Sequence, residues 1–77
     1  MSHHQKALIQ YEERFGLRLL REIVYGLASG ENNWKMVRRY DGLEMCDLRY
    51  LDRISNEVTI FLYERENRPA LRLLNVA

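Results

Sequence analysis

Carboxylates crowd one short stretch of this chain, where Asp41, Glu44, Asp47 and Asp52 follow one another closely. Grouped acids can hold Mg²⁺ or Ca²⁺, or supply a general acid and base. Their spacing here matches no calcium loop. On an extended backbone, Glu44 and Asp47 would face opposite sides, because successive side chains alternate. No metal or catalytic centre is therefore expected. Cys46, the only cysteine, leaves no ligand pair and no intrachain disulfide, and it reads as a small buried hydrophobe rather than a nucleophile. His3 and His4, adjacent near the start, lack further ligands. Glycine-rich phosphate loops, Cys-x-x-Cys pairs and nucleophile elbows are absent. These features predict a protein without cofactor, metal or enzymatic chemistry.

Binding groups are more plentiful. Arg14, Arg18 and Arg21 recur at helical spacing with Tyr11 and Tyr25 beside them, a pattern suited to phosphate contact and base stacking. Glu22 interrupts that face, and an Arg18–Glu22 pair four residues apart is the ordinary dress of a solvated helix. The net charge of only +1, from 12 basic and 11 acidic residues, carries no overall electrostatic footprint of a nucleic-acid binder. Nucleic acid stays as the alternative partner. Aromatic and arginine anchors, which dominate binding energy at protein interfaces, are offered by Trp34, Arg38, Tyr40, Phe61, Tyr63 and Arg72, with Leu74 as an apolar neighbour.

These groups need elements to position them. Seventy-seven residues, 47% of them hydrophobic and eight aromatic, suffice for a single folded domain spanning residues 1–77. Residues 1–5 read as a flexible end. Residues 6–29 carry Leu8, Phe15, Leu19, Ile23 and Leu27 at steps of three and four, predicting a long amphipathic helix that ends near Gly30. From residue 34 to 76 the pattern reads as antiparallel strands. Trp34–Tyr40 and Leu43–Tyr50 flank Asp41-Gly42, a hairpin-turn pair that would set Arg39 opposite Glu44 and Val37 opposite Cys46. A helix over 43–54 competes, because Leu43, Cys46, Tyr50, Leu51 and Ile54 also fit one helical face. Glu57–Glu64, rich in β-branched and aromatic residues, reads as the clearest strand, turning at residues 66–69 into a last strand over 70–76. The expected fold class is thus α+β, with the helix packed on a three- to four-stranded antiparallel meander.

Residues 42–50, 58–63 and 71–74 are loosely similar to the strand meander of RelE/HigB-like ribonuclease toxins, a resemblance that implies RNA cleavage on a sheet. Thr59 stands where that family carries a basic residue, so the match is taken as a generic meander and the ribonuclease as the remotest alternative. In the predicted sheet, both faces are apolar, and one helix covers only one of them. An uncovered apolar face marks an interface, unless the middle segment or the N-terminal tail closes it. The expectation is a non-enzymatic interaction or regulatory protein, of bacterial or phage type, acting through protein contacts and as a homodimer. No apolar run approaches the ~20 residues of a membrane span, and the lone cysteine suits the cytoplasm.

Overall fold

The computed structural model describes the backbone of residues 2–76 and the side chains of residues 2–66. Four α-helices follow one another: α1 (His3–Ala28), α2 (Asn33–Arg39), α3 (Met45–Arg53) and α4 (Ser55–Val76). No strand occurs among the described residues. The fold class is therefore all-α, and the antiparallel meander of the α+β expectation is overturned along its whole length.

The reason is visible in the periodicity of burial. In the supposed strand 57–64 the inward residues are Val58, Phe61 and Leu62, three and four positions apart, while Thr59, Ile60 and Tyr63 face outward. A strand would bury every second residue. β-Propensity is a weak, context-dependent preference, and tertiary burial on a helical period outweighs it. Thr59, a residue that loses side-chain freedom in a helix, donates its hydroxyl to the Ser55 carbonyl at 2.8 Å. The backbone stays helical through the segment expected to turn at residues 66–69. The resemblance to a toxin meander falls with the strands that carried it.

Asp41-Gly42 does form a turn, with Gly42 at φ 83°, but it joins α2 to α3 instead of two strands. The pairing of Arg39 with Glu44 is replaced by an Arg39–Glu31 ion pair at 2.5 Å. Asn32 caps α2 by accepting from the Lys35 amide at 3.1 Å. Within residues 43–54 the helical alternative holds over α3, with Leu48 and Leu51 buried on the helix and Leu43 and Ile54 buried at its flanks. Cys46 is exposed on α3, not buried.

α1 begins earlier than its apolar pattern indicates. Ser2 and Gln5 form a reciprocal capping box, the Ser2 hydroxyl accepting from the Gln5 amide at 3.1 Å. The helix is not continuous: Gly16 has φ 81° and ψ 159°, a conformation essentially restricted to glycine. It divides α1 into two arms at a corner. The corner also resets the apolar phase, so the buried residues run Leu8 and Tyr11 on the first arm, then Leu20 and Ile23 on the second. Leu19, aligned with Leu27 on an unbroken helix, is only partly buried while Leu20 is fully covered.

Both arms pack on α4. Arg65 of α4 lies over the Phe61 ring, 4.8 Å from its centroid, with Nε 3.3 Å from Glu12 of the first arm, an ion pair without hydrogen-bond alignment. Arg21 of the second arm bonds Glu66 at 2.7 Å. These contacts place the corner level with Arg65 and Glu66. The core between the arms, α3 and α4 is filled by Leu8, Leu20, Ile23, Leu48, Leu51 and Val58, and Met36 closes it from α2. Overall dimensions are 46 × 24 × 20 Å.

Candidate functional site

α4 presents two opposite faces beside its core-facing stripe, and each arm of α1 flanks one. On the side of the second arm, Val24, Ala28 and Leu62 line a groove of about 330 Å³ bordered by Tyr25 and Tyr63. Both tyrosines are largely exposed, at 75% and 68%. The Arg21–Glu66 pair stands at the groove's rim, so it carries one charge of each sign. Across Tyr25, a second hollow is lined by Gly26, Arg39 and Tyr40. The Tyr40 hydroxyl reaches Glu22 at 3.5 Å and its ring lies beneath the Arg39 guanidinium at 5.8 Å. Tyr25 thus separates two concave surfaces on a continuous aromatic and arginine face.

α1 and α3 are stitched together by polar side chains. Asp47 is buried and accepts from the Tyr11 hydroxyl at 2.8 Å and from the Glu44 amide at 2.9 Å. Arg14 approaches Asp47 at 3.5 Å and donates to the Gly42 carbonyl at 2.9 Å. Burial opposes ionisation of Asp47, but hydrogen bonds from the Glu44 amide, Tyr11 and Arg14 outweigh it and hold the carboxyl below its ordinary range. Burial, reinforced by the anionic acceptor, raises the Tyr11 hydroxyl well above the usual tyrosine value, Arg14 opposing. His4 Nδ1 lies 2.8 Å from the Tyr50 hydroxyl, and Tyr50 stacks on Tyr11 with centroids 6.3 Å apart. The cluster's polar groups partner one another, and His4 and Tyr50 also line separate surface hollows.

No family model, curated protein or solved structure matches this chain.

The sites expected from sequence are redistributed. The presumed nucleic-acid face is split at the Gly16 corner. Tyr11 is buried against Asp47 and Arg14 is committed to α3, whereas Arg21 and Tyr25 belong to the α4 groove and Arg18 is exposed between them. Of the presumed partner residues, Phe61 lies in the core and Tyr40 is half-buried. Trp34 (64% exposed), Arg38 and Tyr63 are at the surface. Arg72 and Leu74 lie on the last turns of α4, and their side chains fall outside the described residues. The groove joins members of both sets, Tyr25 and Arg21 with Tyr63. Sequence reasoning missed Ile60, exposed at 58%. On a helical period, an isoleucine out of phase with Val58, Phe61 and Leu62 is the signal that would have found it. Among the described residues, no group of three or more His, Cys, Asp or Glu is arranged to hold a metal ion. No helix among them is long and apolar enough to cross a membrane.

Proposed function

We propose that this chain is a small non-enzymatic interaction protein, an adaptor or inhibitor working in the cytoplasm, whose partner-binding surface is the α1–α4 groove flanked by Tyr25 and Tyr63. The observation that carries this reading is the pair of exposed tyrosines bordering an apolar trough of Val24, Ala28 and Leu62. Two tyrosines supply large, stiff contact area at low entropic cost, and aromatic anchors beside an apolar hollow are the usual centre of a protein interface. The rim pair of Arg21 and Glu66 fits a polar border around such a centre. The natural occupant is an apolar helix of a protein partner, laid along the trough between the two helices. A single exposed cysteine, Cys46, is compatible with a reducing compartment.

Affinity capture from a native lysate, with the wild-type chain and with Tyr25→Ala/Tyr63→Ala, tests the reading. A protein retained by the wild type and lost with the double variant, while far-UV circular dichroism is unchanged, is the expected result. Identical capture by both chains would sink it.

A further inference from the structure

The same turns of α4 are flanked on opposite sides by parts of α1 that lie far apart in the chain. His4, Gln5 and Leu8 line a cleft with Glu57, Ile60 and Phe61, while Val24, Tyr25 and Ala28 line the groove with Thr59, Leu62 and Tyr63. Further along, Glu12 stands at Arg65 and Arg21 at Glu66. The first arm therefore climbs α4 and the second descends it, which makes Gly16 the apex of a helical hairpin. On an unbroken helix Leu8 and Ala28 would be about 30 Å apart.

Two antiparallel helices are ordinarily joined through roughly two to five residues. Here a single residue turns the chain, in a conformation that belongs to glycine. The corner takes the first amides of the second arm out of helical bonding, and Gly16 has no side chain to accept from them. Glycine also enters a helix, at a modest cost in propensity. With Gly16 helical, those amides regain their acceptors, and Leu8, Phe15, Leu19, Ile23 and Leu27 form one continuous stripe. Phe15 and Leu19, each half-buried, stand on either side of the corner that interrupts it.

Straightening α1 carries the first arm off its own α3 and α4. The site it vacates is specific: Asp47 for the Tyr11 hydroxyl at 2.8 Å, the Gly42 carbonyl for Arg14 at 2.9 Å, Tyr50 for His4 at 2.8 Å, Arg65 for Glu12, and the core seat of Leu8. The first arm of a second copy carries every one of these groups. We infer that two copies of this chain exchange first arms: α1 straightens at Gly16, and residues 3–15 of each copy pack on α3 and α4 of the other.

Such an exchange is symmetric and closes at two copies. It keeps every contact of the arm and adds helical bonds across Gly16. The opposing term is the entropy of association, so the balance between the two forms depends on concentration. A hinge this short favours the exchanged form, because no slack lets the arm fold back without the corner. Arg21, Val24, Tyr25 and Ala28 stay on their own α4, so the Tyr25–Tyr63 groove is present in both forms and the exchange does not rest on it.

Sedimentation equilibrium of the full chain, from low to several hundred micromolar, tests the exchange with two hinge variants. Wild type is expected to pass from monomer to dimer over this range. Gly16→Ala disfavours the corner but not the straight helix, so its dimer should be at least about tenfold tighter, while its monomer is destabilised. Inserting Gly-Ser-Gly-Ser after Gly16 lengthens the turn and interrupts the straight helix, so the arm returns to its own body and the chain stays monomeric. All three chains should keep a helical circular dichroism spectrum. A wild type that is monomeric at several hundred micromolar would overturn the inference, as would a Gly16→Ala dimer no tighter than that of wild type. An insertion variant that dimerises like wild type would also overturn it, because that dimer would join through a surface and not through the hinge. Should Gly16→Ala fail to fold, wild type and the insertion variant decide between them. Loss of partner capture through Tyr25 and Tyr63, with the exchange intact, would touch only the earlier proposal.

Discussion

At the scale of single residues, Asp47 is the most consequential polar group in the molecule. It satisfies the Tyr11 hydroxyl and the Glu44 amide together and is approached by Arg14. Asp47→Ala leaves a buried hydroxyl and the entry to α3 without their acceptor. The expected loss is about 2–4 kcal/mol, read as a lower urea midpoint at unchanged slope. Tyr11→Phe removes one donor and leaves the carboxylate its other partners, so about 1 kcal/mol is expected. The two groups also set opposite pH limits. Asp47 is more acidic folded than unfolded, so its contribution is complete above about pH 4 and is lost as pH falls through the folded value. Tyr11 holds its proton more tightly when folded, so its contribution is complete below about pH 10 and is lost as pH rises beyond it. Thermal melts across pH should show both limbs. Asp47→Asn should flatten the acid limb, and an acid limb identical to wild type would contradict the assignment.

At the scale of elements, the corner at Gly16 decides the architecture. A Cβ at Gly16 would meet nothing within 4 Å, so the cost of a substitution there lies in the backbone alone. Holding alanine at φ 81° and ψ 159° costs on the order of 1–3 kcal/mol. Straightening α1 instead would relieve that strain at the expense of the packing of one arm on α4. Gly16→Ala is therefore expected to lower the stability of the monomer even though alanine is the better helix former, and a rise in its thermal midpoint would show that the corner is dispensable. Gly26 serves a different purpose. A Cβ there would come within 2.9 Å of Met36 Cε, the point where α2 closes on α1. Because that methyl ends a flexible side chain, Gly26→Ala should be tolerated, whereas Gly26→Leu should detach α2 and lower stability by about 2 kcal/mol or more, read as a lower urea midpoint.

At the scale of the whole molecule, the bent α1 gives α4 two flanked faces where a straight helix would give one. One face holds the tyrosine-bordered groove and the other the cleft lined by Leu8 and Phe61. Far-UV circular dichroism dominated by helix, with no sheet component, is the expected signature of this arrangement, and backbone chemical shifts over residues 57–64 should be helical. Extended-chain shifts there would restore the sheet and remove the groove.

Several features were legible in the sequence: the existence of a long first helix, its end near Gly30 and the turn at Asp41-Gly42. They are local, set by glycine stops and capping groups. The helical identity of residues 57–66 was also present in the spacing of Val58, Phe61, Leu62 and Arg65, but β-branched and aromatic residues pointed the other way. Only burial against α1 decided between the two periods. Tertiary structure alone decided that Tyr11 belongs to the core with Asp47, that Tyr25 and Tyr63 share one groove, and that Phe61 lies inside while Ile60 lies outside. The physical reason is the Gly16 corner: side-chain spacing specifies faces along an unbroken helix, but one glycine with positive φ rotates every later face, and nothing in residue type announces which glycine will bend.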